Sequence, residues 1–269
     1  MRATTRNRFF PLFAALWLVC AFLSATGLSA QVVEEGIKTH TYHFADTDEE
    51  IEYAVFTPSG HDGSEAAPLV VLLHGLGSSP GQVIRYEGLT GEAEKRGFLV
   101  VAPYGYNNRG WYGSRGPGKP GFREVAEDPE NLGELSEKDV ENVIAWSLEN
   151  LNVDESRVYL MGHSMGGAGT YHWATKRPDL WAGLAPMAPA TFGVPKDLDT
   201  IKHIPVVVVH GDADNLVPVD GSRQTVAKLE ELGTEHLYIE IPGGNHVSSI
   251  TQSPELMTRI FDFLAAQSR

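Results

Sequence analysis

Cysteine is almost absent from this 269-residue chain, and the single copy, Cys20, sits in an apolar stretch near the N-terminus. Beyond that stretch no disulfide, thiolate metal site or catalytic thiol can form. Stability must then come from a buried core, which a chain of this length can build. Basic residues are scarce as well: 21 Lys and Arg stand against 35 Asp and Glu, a formal charge of −14. A surface this acidic repels nucleic acid and anionic membranes, so neither is expected as a partner. No His/Asp cluster has ligand spacing, so no metal and no cofactor is expected. The apolar run at 9–23 is short for a membrane span, and no obligate membrane partner is expected.

The N-terminus reads as a targeting segment. Arg2, Arg6 and Arg8 form a positive region, 9–23 is apolar, and small residues follow up to Ala30-Gln31. Leu28 stands where a small residue is preferred, so the alternative is an uncleaved anchor. Val19-Cys20 weakly resembles a lipoprotein site, but Val19 is too large for that pattern. The expectation is a signal peptide at 1–30 and a secreted or periplasmic product. Residues 1–30 hold three arginines and no acid, so their removal takes the charge from −14 to −17. Residues 31–269 are expected to form one domain.

Seven short apolar runs read as strands: 51–57, 69–73, 98–102, 158–161, 183–187, 205–209 and 236–241. The runs at 69–73 and 206–209 do not alternate with polar residues, which suits strands covered on both faces of a parallel sheet. Helical patterns lie between them at 89–96, 137–151, 167–177, 219–232 and 254–266, with Ser136 as the expected N-cap of the second. The alternation predicts a doubly wound, mostly parallel α/β sheet flanked by helices, with an antiparallel edge pair near 38–57. Residues 106–135 are rich in Gly, Pro, Asn and charge. So long a loop is uncommon unless it is functional, and it leaves the C-terminal end of a strand, where open α/β sheets bind ligands. It is expected to face a substrate.

Gly162-His163-Ser164-Met165-Gly166 falls between a predicted strand and a predicted helix. A G-x-S-x-G in that setting is a nucleophile elbow, with the hydroxyl held above the sheet. A second match, Gly77-Ser78-Ser79-Pro80-Gly81, fails chemically. The residue after the nucleophile must offer its N–H to an oxyanion, and Pro80 has none. Met165 has one.

A serine needs a base in reach, and the base needs an acceptor to hold its tautomer. In α/β sheets of this kind the order is Ser, then Asp or Glu, then His. The strand at 205–209 runs into a loop holding both Asp212 and Asp214, and spacing alone barely separates them. The last strand ends in Pro242-Gly243-Gly244-Asn245-His246, which makes His246 the candidate base. His172 lies on the elbow helix, His203 and His236 precede strands at the wrong end, and His210 reads as a structural histidine. For the oxyanion, Met165 supplies one amide. Leu76, in the Leu73-His74-Gly75-Leu76-Gly77 turn after an early strand, supplies the other.

On these residues the chain resembles the α/β-hydrolases, in their esterase, thioesterase and feruloyl-esterase-like branch. His74-Gly75-Leu76-Gly77 is similar to that branch's oxyanion loop, and Gly162-His163-Ser164-Met165-Gly166-Gly167 to its elbow. His210-Gly211-Asp212-Ala213-Asp214-Asn215-Leu216-Val217-Pro218 resembles its acid loop, and Gly244-Asn245-His246 its histidine loop. The resemblance spans 68 to the C-terminus. It implies that the second aspartate, Asp214, is the triad member, and that the substrate is a small-molecule or polymer-linked carboxylic ester. Some relatives in the prolyl-oligopeptidase-like branch are peptidases, so peptide cleavage is the alternative. A binding protein on an inactive hydrolase fold is a third reading, although such proteins usually lose a triad residue. Trp111, Tyr112, Phe192 and Leu216 are expected to form an apolar wall for an acyl or aromatic group, the equal alternative being that Trp111 and Tyr112 pin their own loop. Arg109 and Arg123 could bind a substrate carboxylate, but exposed arginines usually do nothing specific.

Overall fold

The computed structural model describes residues 36–269. The expected signal peptide at 1–30 lies outside the described residues. Eight strands form one sheet: β1 (Ile37–Phe44), β2 (Glu49–Phe56), β3 (Ala67–Leu73), β4 (Leu99–Pro103), β5 (Val153–His163), β6 (Gly183–Met187), β7 (Val206–Gly211) and β8 (His236–Ile241). Their order across the sheet is β1-β2-β4-β3-β5-β6-β7-β8. The β1–β2 and β2–β4 pairings are antiparallel and the other five are parallel. The predicted class and the antiparallel edge both hold.

The unbroken apolar strands are buried along their length. Every residue of β3, β4, β6 and β7 is buried. Successive side chains of one strand point to opposite faces. Leu69, Val71 and Leu73 therefore join a core on one side, with Val206 and Val208. Val70 and Leu72 join a core on the other, with Val207 and Val209. Each such side chain contributes about 1.5–3 kcal/mol by leaving water.

Helices cover both faces. The C-terminal helix, Pro254–Ala265, shows how. Pro254 fits a first helical turn, where the missing N–H costs nothing. Ser253 caps it by accepting from Leu256 N–H. Leu256, Met257, Ile260, Phe261 and Leu264 form a stripe at helical spacing and are buried. The elbow helix, Met165–Lys176, covers the opposite face with Ala168, Tyr171 and Trp173.

One helix departs from expectation. It runs Leu132–Asn150 and so starts five residues before the predicted position. Ser136 is therefore buried inside it and is not its cap. Its hydroxyl accepts instead from Tyr112 N–H at 2.9 Å. The true start carries no side-chain cap. Its free amides are met by the preceding loop: Gly133 N–H donates to Gly118 C=O and Glu134 N–H to Pro117 C=O. Gly133 is required there, because a Cβ would lie 1.9 Å from Gly116 O. Capping by a distant carbonyl leaves no local signature, and a glycine in the first turn reads as loop.

The segment between β4 and this helix is fastened at both ends. The buried Asp139 carboxylate accepts from Gly105 N–H at 2.6 Å, Tyr106 N–H at 3.2 Å and Tyr42 O–H at 2.6 Å. Further along, the Arg109 guanidinium grips Asp128 through Nε at 2.8 Å and Nη2 at 2.6 Å. Arg109 is thereby paired with an acid of its own loop, which favours a structural role for it over binding a substrate carboxylate.

Burial raises the Asp139 pKa to about 6, against the donors that favour its ionised form. The native state then holds a proton that the unfolded chain, titrating near 3.9, has released. Asp139 therefore favours folding more at pH 4 than at pH 7. Two pH units correspond to roughly 3 kcal/mol. Urea titrations should show the stability gap between wild type and Asp139→Asn narrowing in wild type's disfavour by about that amount from pH 4 to pH 7. A gap independent of pH would contradict the assignment.

Candidate active site

The elbow is built from close contacts. Strand β5 ends at His163 and the helix begins at Met165. Ser164 alone makes the turn, at φ 58° and ψ −113°. That conformation is strained for a residue with a side chain and persists only where its surroundings impose it. They do so through backbone bonds: Ser164 N–H donates to Met187 C=O, while Ser164 C=O accepts from Ala168 and Ala190 N–H. A Cβ at Gly162 would lie 2.2 Å from Gly166 O, and one at Gly166 would lie 2.2 Å from Leu73 O. Only glycine fits at either position.

Three loops converge above the strand ends. Ser164 Oγ lies 2.8 Å from His246 Nε2, and His246 Nδ1 lies 2.5 Å from Asp214 Oδ2. Asp214 Oδ1 accepts from Leu216 and Val217 N–H, each at 2.8 Å. Burial alone would raise the Asp214 pKa, but the Val217 amide, His246 and the Leu216 amide outweigh it, and the net shift is downward. The ionised carboxylate can only accept, so His246 donates from Nδ1 and its Nε2 lone pair receives the Ser164 hydroxyl.

Asp212 is exposed, and it does a different task. Its Oδ1 accepts from Gly243 N–H at 2.6 Å, bracing the histidine loop. Ala213 N–H adds a bond to Gly244 C=O. The two loops are thus joined directly, which sets the distance between Asp214 and His246.

Two histidines support the relay from behind. His163 Nε2 donates to His246 C=O at 2.8 Å, and its Nδ1 accepts from Tyr86 O–H at 2.8 Å. Burial first, and the neighbouring His246 second, lower its pKa to about 4, so it is neutral near pH 7. His210 is buried, with Nε2 2.9 Å from Val217 C=O and 3.2 Å from Asp214 Oδ2, and Nδ1 2.7 Å from Ser222 Oγ. The other candidates lie apart: His172 pairs with Glu137 at 2.6 Å, His203 meets Pro178 C=O and His236 meets Thr234 C=O. Sequence reasoning missed Tyr86 altogether. It treated His163 only as the variable position of the elbow, and no spacing rule links either residue to His246.

The oxyanion candidates are both at the relay. Met165 is the first residue of the elbow helix, so its N–H has no intrahelical acceptor. The turn carrying Leu76 presses against the serine: a Cβ on Gly75 would stand 3.5 Å from Ser164 Cβ. The neighbouring amides are engaged, Gly77 N–H with Asn108 C=O and Ser78 N–H with Gly75 C=O.

A cavity of about 440 Å3 opens over Ser164. Leu76, Trp111, Phe122, Phe192, Leu216 and Val247 line it. Phe192 and Leu216 are 60% and 67% exposed, so its rim is apolar and wet, a pattern typical of binding sites. Three of the four expected wall residues are there. Tyr112 is not: it is fully buried beneath the loop and its O–H donates to His74 C=O at 3.0 Å. Its neighbour Trp111 lines the cavity, and both residues adopt positive φ, which no sequence pattern of aromatics announces. Arg123 also lines the cavity.

A serine turn after β5, with an acid after β7 and a histidine after β8, is the arrangement of the α/β-hydrolases. The chain belongs to the esterase family, whose model, described as "Putative esterase", matches residues 45–230. The prolyl oligopeptidase family model matches residues 193–269. Among curated relatives, "Putative esterase NocK" of Nocardia uniformis subsp. tsuyamanensis is 30% identical over 64% of this chain and 47% of its own length. Cutinase 2 of Thermobifida cellulosilytica is 32% identical over 38% of this chain and 37% of its own. The chain thus spans about half or less of these relatives. Among solved structures, a thermostable esterase is 27% identical with a TM-score of 0.67, covering 89% of this chain and 64% of that one. A ferulic acid esterase of Anaeromyces mucronatus shares the fold at 20% identity and TM-score 0.61, over 86% and 90% of the two chains. Among the described residues, no helix is long and apolar enough to cross a membrane.

The Tyr86 hydroxyl is the donor to His163 Nδ1. Tyr86→Phe should leave that buried nitrogen without a partner and lower stability by about 1–3 kcal/mol in urea unfolding. An unchanged midpoint would mean that the contact contributes nothing.

Proposed function

We propose that this chain is a serine hydrolase that cleaves carboxylic esters through an acyl-enzyme. The observation that carries the reading is the continuous relay from Ser164 Oγ through His246 to Asp214, at 2.8 and 2.5 Å. Ser164 attacks the ester carbonyl as His246 Nε2 takes its proton. The Leu76 and Met165 amides receive the oxyanion. His246 then protonates the leaving alkoxide, and water repeats the cycle on the acyl-enzyme. Asp214 stays ionised throughout, in keeping with its lowered pKa, and stabilises the imidazolium. No cofactor takes part in this cycle.

The apolar rim supports an ester with a sizeable apolar or aromatic part, free or polymer-linked. Trp111, Phe192 and Leu216 are its proposed contacts, and Tyr112 underlies them. Membership of the esterase family and likeness to a thermostable esterase support the reading. The prolyl oligopeptidase match over the C-terminal part favours a second reading, peptide cleavage by the same relay. An inactive binding protein is less in keeping with an intact relay.

Purified Ser164→Ala and His246→Ala should each lose p-nitrophenyl ester turnover by about 10⁴-fold or more. Asp214→Asn, which spoils the histidine tautomer, should lose about 10⁴-fold. Wild-type-level activity in Ser164→Ala would refute the mechanism. Faster turnover of peptide p-nitroanilides than of esters would favour the peptidase.

We also propose that the protein is exported and acts as a 31–269 hydrolase unit, supported by the basic and apolar character of 1–30. N-terminal sequencing of the protein recovered outside the cytoplasm should begin at Gln31. An intact Met1 on protein held in the membrane fraction would point to an anchor instead.

A further inference from the structure

A second cavity of about 490 Å3 adjoins the one over Ser164, and the two share Trp111, Ala190 and Phe192. Their linings differ. The first is walled mainly by large apolar side chains with one cation, Arg123, at its rim, whereas the second carries Arg115, His172, Lys196 and a single acid, Asp197. His172 is already occupied by Glu137. Arg115 is not neutralised. Its guanidinium sits 4.0 Å from the Trp111 ring centre and about 6 Å from the Phe122 and Phe192 rings. Its one hydrogen bond is a 3.5 Å contact to Pro120 C=O, and among the described residues no carboxylate pairs with it. Arg96, Arg109, Arg157 and Arg223 each hold an acid, while Arg123 at the rim of the first cavity shares with Arg115 the lack of a carboxylate partner among the described residues but touches only the Phe122 ring, at 5.9 Å. In a chain of charge −14, a cation stacked on the ridge between two cavities and left without a counter-ion is a prepared anion site.

The sheet tells which half of the ester reaches it. Ala168, Tyr171 and Trp111, which line the second cavity, belong to the core on the elbow-helix face. The chain beyond His246 instead buries Ile250 and the C-terminal helix on the opposite face. His246 and Val247 line the first cavity alone. The leaving oxygen must receive its proton from His246 Nε2, so the alcohol lies at that end. The acyl group then extends between Trp111 and Phe192 toward Arg115.

We propose that the second cavity is the distal part of the acyl site, and that Arg115 there binds a carboxylate. The substrate class is the half-ester of a dicarboxylic acid, with an apolar or aryl spacer lying on the Trp111–Phe192 ridge. This rests on the ester-hydrolase reading of Ser164. A guanidinium suits the task because its planar fork matches a carboxylate in two parallel hydrogen bonds.

The test compares mono-p-nitrophenyl esters of succinic, glutaric, adipic and suberic acid with p-nitrophenyl esters of the methyl-terminated acids of equal length. In wild type, kcat/KM for the anionic member should exceed that of its neutral partner at one or more lengths. Arg115→Gln should reduce that ratio about tenfold or more, and Arg115→Lys should restore part of it. Salt gives an independent reading on wild type alone. The protein's net negative charge repels an anionic ester, so added NaCl would lower its KM. A contact with Arg115 has the opposite sign: KM for the preferred half-ester should rise between 20 and 500 mM NaCl, with the neutral ester unmoved. A ratio below one at every length, or one unchanged in Arg115→Gln, overturns the proposal. If Ser164→Ala remains active, the ester-hydrolase reading itself has failed. If Ser164→Ala is dead and only the ratio is indifferent to Arg115, the carboxylate site alone is wrong.

Discussion

The site depends on one buried carboxylate. Asp214 is shielded from water, yet it is held ionised by two backbone amides of its own loop and by the His246 ring. An unpaired charge in that position would be strongly unfavourable. The chain meets the cost by folding the acid loop back on itself, so that Leu216 and Val217 donate to the same oxygen. That leaves the second oxygen for His246 and sets which ring nitrogen carries the proton. Everything at Ser164 follows from this choice of tautomer.

Rigidity around the relay comes from backbone contacts between neighbouring loops. Asp212 and Ala213 join the acid loop to the histidine loop, and His163 joins the elbow to the His246 carbonyl. The glycines of the elbow permit approaches of backbone to backbone that any side chain would block. The strain at Ser164 is sustained by this frame. Over it lies a softer surface of exposed Phe192, Leu216, Phe122 and Val247, where water is easily displaced by an apolar ligand. A fixed relay under an apolar rim suits the proposed ester hydrolase, since loops can vary a binding surface while the frame beneath stays the same.

The segment after β4 shows what reading a sequence misses. Its composition marked it as a loop at the ligand-binding edge, and Trp111 and Phe122 do reach the cavity there. Which aromatic would face the ligand was not legible. Trp111 and Tyr112 are adjacent, similar in size and both apolar in bulk. Both have positive φ and both are buried, yet Trp111 borders the cavity while Tyr112 lies under the loop, where it holds the His74 carbonyl. Nor did the sequence single out Arg115, whereas it offered Arg109. Only the fold brings Asp128 to Arg109 and leaves Arg115 on an indole face.

The sheet, its antiparallel edge and the chain order of Ser164, Asp214 and His246 were determined by the sequence itself. Burial on both faces demands unbroken apolar strands, and an elbow demands glycines on either side of its serine. Those requirements are local and leave a pattern that can be read residue by residue. The start of the Leu132–Asn150 helix, the bond from Asp212 to the histidine loop, and the pairing of Tyr86 with His163 were decided by tertiary structure. Each depends on a partner many residues away, carbonyl, amide or ring, and a hydrogen bond between distant segments imposes no spacing on either one.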